Sequence, residues 1–214
     1  MTLYTLHYFP GNASFAPHAL LQESGAPHVL KLVDRKANDH KSSEFLSLNP
    51  TGRIPAFEDG NLVMFESAAI CLYLCDRHPE MNMAPLVGTP ERGTFYKWLM
   101  FLTNSIQPDI LQYYYSERYT TDPAGSEGVK QAAKAHLQNW FNVIEQNMGD
   151  GPYLIGNTVT AVDIYLLMLS RWSHFLGTPP KTLPRIGQLL NLMLERPAIR
   201  KAIEIEGIDG PFLR

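Results

Sequence analysis

The chain has 214 residues, 45% of them hydrophobic and 18% charged, a balance that supplies a real core and excludes disorder as the main state. Its 18 basic and 21 acidic side chains give a formal net charge of −3, with no basic excess or patch of the kind polyanion binders carry, so no nucleic-acid partner is expected. The longest purely apolar run, Ala68 to Cys75, falls far short of the ~18 residues that span a bilayer. The opening Met1-Thr2-Leu3-Tyr4 has neither a basic stretch nor a cleavable apolar core, so neither a signal peptide nor a membrane partner is expected. With only Cys71 and Cys75, a disulfide framework is excluded and a reducing cytoplasm is the expected compartment.

In chain order, Thr2 to Phe9 reads as a strand. Pro10-Gly11-Asn12 signals a turn, and Ser14 fits the N-cap of a helix running from about Phe15 to Glu23 and ending at Gly25. Val29 to Val33 reads as a second strand, and Ser43 to Leu48 as a short helix stopped by Asn49-Pro50. Ile54 to Phe57 and Leu62 to Phe65 read as strands joined by a hairpin at Glu58-Asp59-Gly60-Asn61. Glu66 to Arg77 reads as a helix halted before Pro79. The order is therefore β-α-β-α-β-β-α over residues 1–80.

Residues 81–92, with two prolines and a glycine and no clear period, read as a linker. From 93 to 214 everything reads helical. Phe95, Trp98, Leu99, Leu102 and Ile106 form one stripe; Ala133, Leu137, Trp140, Phe141 and Ile144 form another. Pro108 is expected to kink or end the first of these helices. Thr160-Ala161-Val162-Asp163 fits a capping box, flanked by Val159 and Ile164 as a hydrophobic staple. Further helices are predicted near Leu183–Leu194 and Ala198–Glu204.

Four stretches together carry a resemblance over essentially the whole chain. They are Tyr8-Phe9-Pro10-Gly11-Asn12-Ala13-Ser14, Glu44-Phe45-Leu46-Ser47-Leu48-Asn49-Pro50-Thr51-Gly52-Arg53-Ile54-Pro55, Phe65-Glu66-Ser67-Ala68-Ala69-Ile70 and the Thr160–Asp163 cap. In this order and spacing the sequence resembles the cytosolic glutathione S-transferase family. An α/β thioredoxin-like domain would be followed by an all-α domain. The Pro-Gly-x-x-Ser stretch followed by His18 looks most like the bacterial beta class. Ala13 stands where that class carries a cysteine, and Gln107 where it carries a histidine. An alanine cannot form a mixed disulfide, so beta-class redox chemistry is not expected.

The resemblance implies glutathione as co-substrate and no metal. Pro55 cannot donate to a sheet ladder; the family likeness implies a cis Ile54–Pro55 bond that frees the Ile54 backbone for the cysteinyl unit of glutathione. Glu66 and Ser67 open a helix, where free N–H groups and the positive dipole end suit a carboxylate. They would hold the γ-glutamyl group. Arg53, with His40 and Lys41 less firmly, would face the glycyl carboxylate. Three groups compete to stabilise the thiolate: Ser14 at the first helix, Tyr8 at the end of the first strand, and Asn12. A free thiol has a pKa near ~8.5, and lowering it by ~2 units takes ~2.7 kcal/mol. One hydrogen bond to a charged acceptor is worth ~1.5–3 kcal/mol, so a single donor suffices. Ser14 is the first expectation because a hydroxyl at a helix terminus adds the dipole.

The implied reaction joins the glutathione thiolate to a small hydrophobic electrophile, with a detoxifying role and a homodimeric assembly. The alternatives are glutathione-dependent disulfide or peroxide reduction, and a non-catalytic binding module of the same fold. Cys71 and Cys75 read as buried small hydrophobes on one helix face, and no histidine has metal-ligand spacing. Tyr113-Tyr114-Tyr115 reads either as pocket lining or as packing between domains.

Overall fold

The computed structural model describes residues 3–213. Strands β1 (Tyr4–Tyr8), β2 (His28–Leu32), β3 (Ala56–Asp59) and β4 (Leu62–Phe65) form one sheet in the order β2-β1-β3-β4. β1 runs parallel to β2, while the β1–β3 and β3–β4 pairs are antiparallel. Helix α1 (Phe15–Ser24) makes the β1-to-β2 crossover, α2 (Ser43–Leu48) precedes β3, and α3 (Ser67–Arg77) follows β4. This is the expected β-α-β-α-β-β-α order. The predicted first strand begins at Thr2, which lies outside the described residues, and the third begins two residues later than expected, at Ala56. Ile54 and Pro55, joined by a cis peptide, lie outside the ladder, and a proline nitrogen has no proton to give to one.

β1 alternates as a sheet strand must: Tyr4 and Leu6 are buried on one side, and His7 is buried on the other against the Phe45 ring. On that first side Leu6 is paired with Phe57 and both are wholly buried, as are Phe15, Leu20, Ile70 and Leu74 of α1 and α3, two helices that pack on each other. Beneath the other face Val33, Phe45, Ile54 and Ala56 form a second cluster, with Phe9 and Leu48 packed against it. α1 ends where Gly25 takes φ 64°, the left-handed C-cap that glycine adopts without a Cβ penalty. Cys71 and Cys75 are buried and not joined in a disulfide, and burial pushes the Cys71 thiol up.

Helices α4 (Pro90–Phe101), α5 (Gln107–Tyr114), α6 (Ser126–Asn147), α7 (Ala161–Trp172) and α8 (Pro184–Glu195) form most of the second half, followed by α9 (Pro197–Ile205). Both predicted stripes face inward: Phe95, Leu99, Leu102, Ile106, Leu137, Phe141 and Ile144 are all fully buried. Pro108 does not end the helix. The chain widens instead into a π-turn over Leu102–Ile106, where the Gln107 N–H reaches back to the Leu102 carbonyl before α5 continues. A proline in a helix lacks the donor and crowds the carbonyl four residues back, and the wider turn relieves that crowding. The tyrosine run packs within this half: Tyr113 stacks on Phe175 at 3.4 Å, and the Tyr114 hydroxyl donates to the Trp172 carbonyl.

The described chain divides into two compact units. One holds residues 3–84 together with Leu194–Phe212, the other Pro85–Met193 and Leu213. α9 thus belongs with the sheet. It packs on α1 and is pinned by a forked pair, Arg196 Nε to Glu23 Oε1 at 2.6 Å and Nη2 to Oε2 at 2.8 Å.

The Thr160–Asp163 capping box is present. Asp163 Oδ2 accepts the Thr160 N–H at 2.7 Å and hydroxyl at 2.9 Å, and Oδ1 accepts the Leu154 N–H at 2.8 Å. Asp163→Ala should therefore cost about 2–3 kcal/mol, a fall of roughly 4–12 °C in melting midpoint by calorimetry. Burial outweighs these donors and raises the Asp163 carboxyl to about 6. A carboxyl raised in the folded state favours folding fully below its unfolded pKa, and that contribution drains as pH rises through the folded value. The wild type should then lose stability relative to Asp163→Asn between about pH 4 and pH 6; parallel melting curves check this, and a constant difference would contradict it.

Candidate functional site

Three segments outside the helices and strands meet at one end of the sheet unit. The first leaves β1 at Tyr8. Phe9 lies beyond the ladder and before Pro10, so its own N–H and C=O need partners. Ser14 supplies them: its Oγ accepts the Phe9 N–H at 3.3 Å and donates to the Phe9 carbonyl at 3.2 Å. Ser14 is wholly buried, and its side chain makes no capping bond to α1. The expectation that its hydroxyl caps the helix is therefore corrected, because the hydroxyl closes the preceding turn instead. Gly11 takes φ 65°, the left-handed region that glycine tolerates. The Asn12 N–H reaches the Phe9 carbonyl at 3.1 Å, and the Asn12 carbonyl takes the Phe15 N–H at 2.9 Å.

The Asn12 side chain accepts the Ala13 N–H at 2.7 Å through Oδ1. Since only the amide oxygen can accept, Nδ2 is left as a donor. Tyr8 is half-buried at the strand end, its ring centroid 6.4 Å from that of His18.

The second segment runs from Asn49 to Pro55. Asn49 is buried, and its Nδ2 donates to the Arg53 carbonyl at 2.6 Å and the Pro55 carbonyl at 3.2 Å. Its Oδ1 accepts the Thr51 N–H at 3.1 Å and hydroxyl at 2.7 Å. One amide therefore holds the carbonyls on either side of Ile54. The Ile54 side chain sits in the Val33–Phe45–Ala56 cluster, and the β1–β3 ladder begins only at Ala56 opposite His7, leaving the Ile54 main chain outside the ladder. Gly52 has φ 62°, and a Cβ there would lie 2.7 Å from Lys41 Nζ and 3.0 Å from the His40 carbonyl. Glycine thus seats the Asp39–Lys41 turn against this segment, whose next residue, Arg53, is exposed. Burial, then Lys41 and Arg35, lower the His40 pKa.

The third segment is the start of α3. Glu66 is exposed and held at φ 73°, ψ 105°, a backbone conformation that a residue with a Cβ seldom adopts and that concentrates at functional sites. Its carbonyl takes the Ile70 N–H at 3.0 Å. Ser67, the first residue of the helix, is buried and donates through Oγ to the Ala13 carbonyl at 2.5 Å. That bond ties the N-terminus of α3 directly to the turn holding Asn12 and Ser14.

Two further residues complete the frame. Asn49, whose sequence signal is that of a helix stop, is one. Glu206, at the end of α9, accepts the Gly11 N–H at 2.8 Å, and nothing in the sequence links positions 195 residues apart. Among the described residues no group of His, Cys, Asp and Glu is arranged to hold a metal, and no helix is long and apolar enough to cross a membrane. Asn49→Ala would strand two carbonyls and two donors in and around a buried site. It should cost about 2–4 kcal/mol in urea unfolding; a loss under about 0.5 kcal/mol, usual for a surface change, would show that the amide is dispensable.

Residues 1–76 match the family model described as glutathione S-transferase, N-terminal domain, and residues 108–205 the one described as glutathione S-transferase, C-terminal domain. The chain is 27% identical over 206 residues to glutathione S-transferase GstA of Escherichia coli O157:H7, covering 95% of this chain and 98% of that one. Among solved structures, a glutathione transferase from Methylococcus capsulatus is 31% identical with TM-score 0.83, covering 96% of this chain and all of that one. A sphingomonad glutathione S-transferase complexed with glutathione is 28% identical with TM-score 0.81, again covering 96% and 100%. Fold, motifs and these matches agree: the chain belongs to the glutathione S-transferase family.

Proposed function

We propose that the protein binds glutathione across these three segments and joins its thiolate sulfur to a small hydrophobic electrophile. The carrying observation is the Ser67–Ala13 bond, which fixes a helix N-terminus beside a turn offering a side-chain donor. A γ-glutamyl group would place its carboxylate at the first N–H groups of α3, beside Ser67, and its ammonium near Glu66. The Ile54 N–H and C=O, outside the ladder, would pair with the cysteinyl backbone like an added strand. Arg53, with His40, would meet the glycyl carboxylate.

For the thiolate we assign Asn12 Nδ2 first and the Tyr8 hydroxyl second. Ser14, expected to fill this role, has its proton turned to the Phe9 carbonyl and serves here as the brace of the turn. A single charged hydrogen bond of ~1.5–3 kcal/mol covers most of the ~2.7 kcal/mol that a two-unit fall in thiol pKa requires. The thiol proton leaves to solvent. The sulfur lone pair then forms the new C–S bond, and a leaving group such as a halide departs with its bonding pair. Ala13 offers no sulfur for a mixed disulfide. Two cysteines not joined in a disulfide fit a reducing cytoplasm. Leu62, Val63 and Phe65, exposed on edge strand β4, fit a surface covered in a homodimer.

Isothermal calorimetry with glutathione, and turnover with an aryl halide in parallel with a small disulfide, test this function. Binding with aryl-halide turnover is expected; no binding, or disulfide turnover alone, would overturn it. Asn12→Ala should raise the bound thiol pKa by about one unit while leaving affinity nearly unchanged. Ser14→Ala should act mainly on stability, and Ser67→Ala should weaken glutathione about tenfold. A Ser14→Ala protein with normal stability and a raised thiol pKa would return the sulfur-binding role to that hydroxyl.

A further inference from the structure

We propose that Glu206 is a positioning residue for the sulfur-binding turn: its carboxylate, delivered by α9, fixes Gly11 and through it the orientation of Asn12. The proposal rests on the glutathione reading above. Glu206 stands where a carboxylate is unfavourable. It caps the C-terminus of α9, the negative end of the helix dipole, and its side chain has no solvent exposure. A buried charge is retained only when well paired. Both oxygens are paired, with the Gly11 N–H at 2.8 Å on Oε2 and His18 Nδ1 at 2.9 Å on Oε1.

The direction of these bonds is fixed from the far end of a side-chain relay. His28 Nδ1 lies 2.8 Å from the Ala26 carbonyl, so it must be the donor and carry the proton. Burial lowers the His28 pKa and so favours the neutral ring, in which Nε2 accepts. Gln22 Nε2 is 3.1 Å from that nitrogen and 3.2 Å from His18 Nε2, and donates to both. His18 consequently carries its proton on Nδ1 and presents it to Glu206. The relay thus runs in one direction, and the second carboxylate oxygen of Glu206 takes the Gly11 N–H.

Gly11 is the residue before Asn12, and its left-handed φ turns the chain toward the site. Holding its N–H settles where Asn12 and Ala13 sit, without Glu206 touching the substrate. General docking of α9 has its own fastening, the Arg196–Glu23 pair at the opposite end of the helix. The two attachments can therefore be separated by mutation.

Glu206→Ala, Glu206→Gln and Arg196→Gln are compared with the wild type in the full-length protein. Glu206→Ala should raise the pKa of bound glutathione's thiol by about one unit, lower kcat with an aryl halide about 10- to 100-fold and change glutathione affinity less than about threefold. Glu206→Gln keeps one acceptor for Gly11 but turns its amide NH2 toward the His18 Nδ1–H, so kcat should recover only in part, to a value between those of Glu206→Ala and the wild type. Arg196→Gln should lower stability while leaving the thiol pKa in place. If Glu206→Ala does not accumulate folded, Glu206→Asp, with the same charge one methylene short, carries the comparison. A folded Glu206→Ala or Glu206→Asp protein with wild-type thiol pKa and kcat would overturn the role, as would an equal pKa shift in Arg196→Gln. Amide hydrogen exchange over Gly11–Ser14 decides the matter even without ligand: it should quicken in Glu206→Ala and not in Arg196→Gln. Failure of the wild type to bind glutathione would strike the functional reading, whereas unchanged exchange would strike the role of Glu206.

Discussion

Main chain that belongs to no helix or strand must still pair its hydrogen-bonding groups once it is buried. That constraint governs this site. The Phe9–Ser14 turn, the Asn49–Pro55 segment and the Glu66–Ser67 junction are irregular, and each is held by a buried polar side chain rather than by a ladder. Ser14 closes the first, Asn49 the second, and Ser67 joins the third to the first. Glu206 adds an anchor from the far end of the chain. A preorganised site is built this way when donors must be aimed at a ligand rather than at neighbouring strands.

The same bookkeeping explains a division of labour among the polar residues. Those with low exposure spend their hydrogen bonds on the main chain and so set its path. Those on the outer side of the turns, Asn12, Tyr8, Arg53 and Glu66, keep capacity for a ligand. Ser14 illustrates the distinction. A serine at a helix start reads as a cap or as a sulfur ligand, yet the proline after Phe9 removes the ordinary continuation of the strand, and the serine repairs the gap.

Much of the fold was legible because it rests on local signals. The hairpin, the Gly25 cap, α2, both helical stripes and the Thr160–Asp163 box follow from periodicity and turn chemistry. The start of β3 and the behaviour of Pro108 were less legible. In both places a proline makes the chain choose between ending an element and distorting it, and packing decides. Arg53, Ile54, Glu66 and Ser67, proposed to hold glutathione, were picked out by a motif; the structure adds the positive φ of Glu66 and the Ser67–Ala13 bond. Asn49 and Glu206 were missed for different reasons. Asn49 carries a helix-stop signal that hides its tertiary bonds, and Glu206 gains its partners only when α9 returns to the sheet unit.

The central claim is that this frame stabilises a thiolate on bound glutathione. Ultraviolet titration of the thiolate in the wild-type complex measures it most directly. The account expects the bound thiol to titrate about two units below its free value of ~8.5. A bound thiol titrating at the free value would contradict it.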